Sequence, residues 1–145
     1  MSKFNYRFES IKKIKDSLEK KAAKELAEID VFIERQRQEY NRVVERSNNT
    51  KRDISHEKLS SFELKFIKGY EEDLKQQLLL IKLKINQLEL KKDEKMIELV
   101  QKSKENKMFG TLKENHLEIF QLNENKIEMD SINEMATQKY IRGNR

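Results

Sequence analysis

Leu74-Lys75-Gln76-Gln77-Leu78-Leu79-Leu80-Ile81-Lys82-Leu83-Lys84-Ile85-Asn86-Gln87-Leu88 decides the fold. Residues 74, 78, 81, 85 and 88 are apolar and spaced by four, three, four and three. That alternation is the seam of a coiled-coil helix. Upstream the stripe includes Ile67 and Tyr70. Downstream the seam positions become Lys92, Lys95, Leu99, Lys102, Asn106, Phe109, Lys113, His116, Phe120, Asn123 and Ile127. An offset row (Met96, Leu99, Val100, Leu112, Ile119) suggests that the apolar face rotates past Leu88. Leu, Lys, Glu and Gln keep helix propensity high throughout.

A second, shorter stripe precedes it: Ile11, Ile14, Leu18, Ala22, Leu26, Ile29, Ile33, Gln36, Tyr40 and Val43, with Phe4 and Phe8 ahead. Three successive steps of four between Ile14 and Leu26 read as a stutter, which locally unwinds a supercoil. No proline interrupts the chain. The polar stretch Ser47-Asn48-Asn49-Thr50 separates the stripes, and Asn is a plausible helix stop. Ser60-Ser61-Phe62-Glu63 resembles a capping box. The expected fold is all-α: a single coiled-coil domain of two long helices in an antiparallel hairpin. Helix 1 is expected over about 4–48, a loop over about 49–60 and helix 2 over about 61–140, with a short flexible C-terminus. At 1.5 Å per residue the helices measure about 65 and 120 Å.

Folding the chain at that loop sets Ile33 near residue 75, Leu18 near residue 90 and Phe4 near residue 104. Residues from about 105 to 140 then lack a partner within the chain. They include Phe109, Leu112, Leu117, Phe120, Leu122 and Met135. Burying one such side chain is worth about 1.5–3 kcal/mol. The overhang is therefore expected to be ordered mainly against something else.

Composition agrees with this reading. Charged residues make up 39% of 145 and hydrophobic ones 36%, too polar for an ordinary globular core. Disorder is the competing interpretation, and the sustained periodicity argues against it. There are no cysteines, so disulfides and thiol chemistry are excluded. No apolar run approaches the ~20 residues that span a bilayer, and the N-terminus lacks the apolar core of a signal peptide. A cytoplasmic location is expected. Lys3, Arg7, Lys12, Lys13, Lys15, Lys20, Lys21 and Lys24 oppose only Glu9, Asp16 and Glu19 in residues 1–24, and Lys139, Arg142 and Arg145 add charge at the other terminus. A basic end suggests an acidic partner.

No catalytic constellation, metal site or cofactor site is expected. His56 falls in the predicted loop and His116 on the overhang, and both read as solvated. Gly69, Gly110 and Gly143 are isolated, so there is no phosphate-cradling loop. Phe62, Phe66 and Tyr70 form an aromatic row with Tyr40 expected at the same tip. That row is either a plug closing the coiled coil or a docking patch. Gly69 within it lowers helix stability by about 1 kcal/mol and leaves room for another backbone. The basic N-terminal segment is either a solvated face or a binding one, and no base-reading motif accompanies it.

Phe4-Asn5-Tyr6-Arg7-Phe8-Glu9-Ser10-Ile11-Lys12-Lys13-Ile14-Lys15, Lys20-Lys21-Ala22-Ala23-Lys24-Glu25-Leu26-Ala27 and Glu128-Met129-Asp130-Ser131-Ile132-Asn133-Glu134-Met135-Ala136, with Tyr140 and Arg142, together resemble the FliJ family of flagellar type III export proteins. The injectisome counterpart of that family is similar. The resemblance implies a coiled coil like the central stalk of rotary ATPases, non-enzymatic itself. It implies binding to the hexameric export ATPase FliI, the export-gate membrane protein FlhA and export chaperones. It implies no nucleic acid, and membrane association only peripherally, through partners at the flagellar base. Mapped onto this sequence, Phe4, Arg7, Phe8, Lys12, Lys13, Glu134, Tyr140 and Arg142 would face the ATPase ring. Tyr40, Phe62, Phe66 and Tyr70 would face the gate. The other readings are a general coiled-coil scaffold or chaperone that self-associates, and a membrane-surface or nucleic-acid binder. Lys92, Lys95, Lys102 and Asn106 in the seam disfavour a strong homodimer.

Overall fold

The computed structural model describes residues 2–56 and 58–144. Two helices account for nearly all of them: α1 over Glu9–His56 and α2 over Ser61–Gly143. The protein is an all-α helical hairpin whose second helix is the longer. Cα packing divides it into two compact units, Met1–Lys20 with Gln101–Arg145, and Lys21–Val100. Within each, a segment of α1 runs antiparallel to a segment of α2.

Helix α1 differs from expectation at both ends. It starts at Glu9, not Phe4. Glu9 N–H donates to the Tyr6 carbonyl in the turn that opens the helix, and the Glu9 carboxylate complements the helix N-terminus. At the other end α1 passes through Asn48 and Asn49 to His56. No described non-glycine residue has positive φ, so the left-handed stop expected of Asn is not formed. Instead Thr50 Oγ1 donates to the Arg46 carbonyl at 2.8 Å and Ser55 Oγ to the Arg52 carbonyl at 2.7 Å. These hydroxyls are satisfied by carbonyls of the preceding turn, so neither side chain caps a new helix end there. Helix α2 begins with the capping box. Ser60 N–H donates to the Glu63 carboxylate at 3.1 Å, and Glu63 N–H to Ser60 Oγ at 3.3 Å.

The longer α1 moves the turn, and each residue added before a turn shifts the antiparallel partner by two. In the unit of residues 21–100, Asp30 meets Lys92 and Glu25 meets Lys95. In the other unit, Lys15 meets Glu105, Glu9 meets Lys113, and Phe4 lies against Phe120 rather than residue 104. Among the described residues, the segment lacking an intrachain partner therefore begins after about residue 124, not 105. Phe109 and Phe120 pair within the chain.

The seam is more regular than the apolar stripes suggested. Beside half-buried Asp16, Leu18, Glu25 and Val44, Phe8 and α1 carry one row of shielded positions, 8, 12, 15 and 19 in one unit and 22, 26, 29, 33, 36, 40, 43, 47, 50 and 54 in the other. They alternate strictly by four and three, so there is no stutter. Ile11 and Ile14 are exposed, and Lys12, Lys15 and Glu19 take the seam. On α2 the seam runs through 74, 78, 81, 85, 88, 92, 95 and 99 in one unit and 102, 106, 109, 113, 116 and 120 in the other. Glu71 rather than Tyr70 faces inward, and Asn123 and Ile127 face solvent. The offset row does not form a second face, since Met96, Val100 and Ile119 are about half exposed. Charge pairing keeps the helices in phase where apolar residues fail to.

Few residues are fully enclosed: Tyr6, Ala22, Ile33, Val43 and Leu74. Leu74, at 2% exposure, is one of the best-buried large side chains. Leu74→Ala should lower unfolding free energy by about 2–3 kcal/mol. Ile14→Ala, at a site 58% exposed, should change it by less than about 0.5 kcal/mol. Thermal unfolding followed by circular dichroism checks both, and equal losses would restore the stripe through Ile14.

Candidate functional site

Residues 2–8 form a non-helical arm on α2, and its aromatic rings alternate. Phe4, Tyr6 and Phe8 are spaced by two, a period no helical face can share. Phe4 packs on Phe120 with ring centroids 5.5 Å apart. Tyr6, at 4% exposure, meets His116 edge-on at 5.7 Å, and its hydroxyl donates to the Phe109 carbonyl at 3.0 Å. Phe8 reaches Phe109 at 6.4 Å. His116 is thus half-buried among rings rather than solvated. Tyr6 was absent from the helical stripes because they assumed a helix there. Its period-two spacing was the signal that could have found it.

Beside the arm, charged side chains bridge the helices. Asn106 Nδ2 donates to Asp16 and to Glu19, at 2.5 and 2.6 Å. Both partners accept, which orients the amide and leaves its buried Oδ1 without a hydrogen-bond partner. The hydrogen bond from Asn106 holds the Asp16 carboxyl below its usual range, with Lys12 adding to the effect. Lys113 does the same for Glu9, and Lys15 with Gln101 for Glu105. In the unit of residues 21–100, Lys95 bonds Glu25 at 2.6 Å and Glu98 at 2.9 Å. Those bonds depress Glu25 and raise Lys95. Arg37 and Glu89 pair at 3.2 Å.

The residues expected at an ATPase ring divide into two groups. Phe4, Phe8 and Lys12 turn toward α2, with Lys12 also paired to Asp16 at 3.4 Å. Arg7 and Lys13 are exposed, and the Arg7 guanidinium lies over the Phe8 ring. Glu134, Tyr140 and Arg142 are exposed on α2 well beyond Glu124, which accepts a hydrogen bond from Ser2. The structure does not bring them to the arm. Between the two groups lies an open groove of about 450 Å³, bounded by Ser2, Phe120, Glu124 and Ile127. Beyond it Met129, Ile132, Met135, Tyr140 and Ile141 are all more than half exposed.

The expected aromatic tip is only partly assembled. Phe62 is 81% and Phe66 74% exposed, beside a groove of about 520 Å³ lined also by Leu59 and Ile67. Rings this exposed do not plug a coiled coil. Tyr70 is less open, on the same helix. Tyr40 lies elsewhere, lining grooves with Leu78, Lys82 and Ile85. That is about 18 Å along α2 from Phe66 at 1.5 Å per residue. A Cβ at Gly69 would meet nothing within 4 Å. His56 closes α1, and its imidazole lies outside the described structure. Among the described residues no cluster of His, Cys, Asp or Glu could hold a metal.

Carboxyls depressed by their lysine and amide partners contribute stability above their ordinary value near about 4.3, which is lost as pH falls through the lower folded value. Lys95, raised, keeps its contribution until pH exceeds the ordinary lysine range. Helix pairing should therefore be flat from about pH 5 to 10 and weaken toward pH 3. The Glu25→Gln/Glu105→Gln variant should melt lower at pH 7 and lose less on acidification; an unchanged acid limb in melting curves would discount these pairs. Gly69→Ala should raise stability by about 0.5–1 kcal/mol in the same assay, because only helix propensity changes in open space.

Compared with known proteins, residues 4–145 match the family model described as "Flagellar FliJ protein". No curated protein and no solved structure matches the chain.

Proposed function

The chain belongs to the flagellar FliJ family, and from that premise we propose that it binds and stimulates the hexameric export ATPase FliI and links it to the export gate FlhA and to export chaperones. It is a flagellar export-related coiled-coil protein. The proposed role is non-enzymatic and cytoplasmic, reaching the membrane only through its partners. No helix among the described residues is long and apolar enough to cross a membrane.

The observation that carries this reading is the end of α2. Past Glu124 the helix has no α1 partner, yet Ile127, Met129, Ile132, Met135, Tyr140 and Ile141 present large apolar side chains to solvent. A helical segment of this kind gains most of its stability from tertiary packing, so an external surface is its natural partner. Glu134, Tyr140 and Arg142 would contact the ATPase, with exposed Arg7 and Lys13 beside the arm. Phe4, Phe8 and Lys12 would act indirectly, by seating the arm on α2. Phe62, Phe66 and Tyr70 would meet the gate. Tyr40, apart from that row, would contribute to a different surface of the same unit.

The purified chain, inactive alone, should raise the turnover of the ring ATPase. Deleting residues 128–145 should abolish that stimulation with little change in melting temperature, because the side chains of residues 128–144 are exposed. Phe62→Glu/Phe66→Glu should lose capture of the gate protein and keep stimulation. A pulldown that retains neither the ATPase nor the gate protein would overturn the proposal.

A further inference from the structure

The solvent side of α2 carries a second apolar row. Leu79, Leu80, Leu83, Leu90, Ile97 and Val100 are each at least half exposed. Leu83, Leu90 and Ile97 repeat every seven residues, at the position opposite the seam. Leu79 and Leu80 widen the row at one end and Val100 continues it at the other. All six lie within the unit of residues 21–100. A helix apolar on both its seam and its outer face is not a surface helix satisfied by one neighbour. Contiguous exposed apolar side chains of this kind mark interaction sites.

The charges beside the row identify what fits it. Heptad positions place Lys75 and Lys82 along one side and Lys84 and Lys91 along the other. Glu89 is the only acid between Leu74 and Lys92, and it is taken by Arg37. Lys92 is taken by Asp30. Lys75, Lys82, Lys84 and Lys91 have no ion-pair partner among the described residues. A second copy docked here would set lysine against lysine. An anionic lipid surface would need a broad apolar face, whereas this row narrows to one side chain at Leu90 and Ile97, with Asn86, Gln87, Asp93 and Glu94 around them. Asp93 and Glu94 flank Ile97 and close that end of the row to an acidic partner, whereas from Lys75 to Lys91 lysines rim both sides of the apolar face. We propose that the outer face of α2 from Lys75 to Lys91 docks an acidic amphipathic helix of another protein, its apolar stripe on Leu79, Leu80, Leu83 and Leu90 and its carboxylates on the four lysines.

The site is separate from the residues assigned to the ATPase and the gate, so its test can fail independently. A photo-crosslinking amino acid placed at Leu83 or Leu90 of the full chain in its native cells should yield an adduct. Mass spectrometry should map that adduct to a helical segment of net negative charge with apolar residues every three or four positions. Leu83→Glu/Leu90→Glu should keep helical content. With the photoprobe moved to the adjoining Gln87, it should reduce the adduct by more than about tenfold. Raising salt should weaken capture of the mapped segment by the purified chain. An adduct to a second copy of the chain, to a basic or non-helical segment, or no adduct at all overturns the proposal. So does binding of the purified chain to phosphatidylglycerol vesicles that Leu83→Glu abolishes. ATPase stimulation by the double variant should be unchanged.

Discussion

The pairing of the two helices rests on where the acids of α1 meet the cations and amide of α2. Apolar residues alone would let long helices slide by a heptad at modest cost. Asp30 against Lys92, Glu25 against Lys95, and Asp16 with Glu19 around Asn106 give each unit a position it must occupy. Each of these side chains is partly exposed, so its contribution to stability is small. Its contribution to register is larger, because a slip would place lysine opposite lysine or leave Asn106 without either acceptor. Buried polar residues at seam positions are a known device for choosing register over strength.

That choice has a consequence for the rest of the molecule. A seam with few enclosed side chains leaves much apolar surface elsewhere, and most of it stands on α2. Some lies beyond residue 124, where the helix has no partner among the described residues. Some lies at Phe62 and Phe66, and some on the outer row from Leu79 to Val100. A chain that needed only to fold would have no use for these residues in solvent. Their placement on three distinct stretches of one helix fits the proposed contacts with several partners.

The arm at residues 2–8 shows how a few rings can replace a helix turn. Tyr6 is buried more deeply than any apolar residue of the first α1 turns, and its hydroxyl finds the Phe109 carbonyl. With the arm seated, the aromatic residues Phe109, His116 and Phe120 are covered from within the chain. The free part of α2 is thereby shortened to about residues 125–143.

Two helices, the hairpin, the capping box at Ser60 and the α2 seam from Leu74 to Phe120 were legible in the sequence, because heptad spacing and capping are local and periodic. So was the family, from the basic aromatic N-terminus and the C-terminal run. The end of α1 was not. Asn48-Asn49 permits a stop without enforcing one, and only the helix already packed around Ser47 and Thr50 decides that it continues. That choice shifts every partner across the hairpin, since antiparallel pairing doubles any displacement of the turn. The polar seam from Lys12 to Glu19 was hidden for the same reason: a lysine reads as solvent-facing until a carboxylate stands opposite it. Periodicity along one chain determines which residues share a face. Only tertiary structure decides which face meets which, because that depends on charges far apart in sequence being brought together.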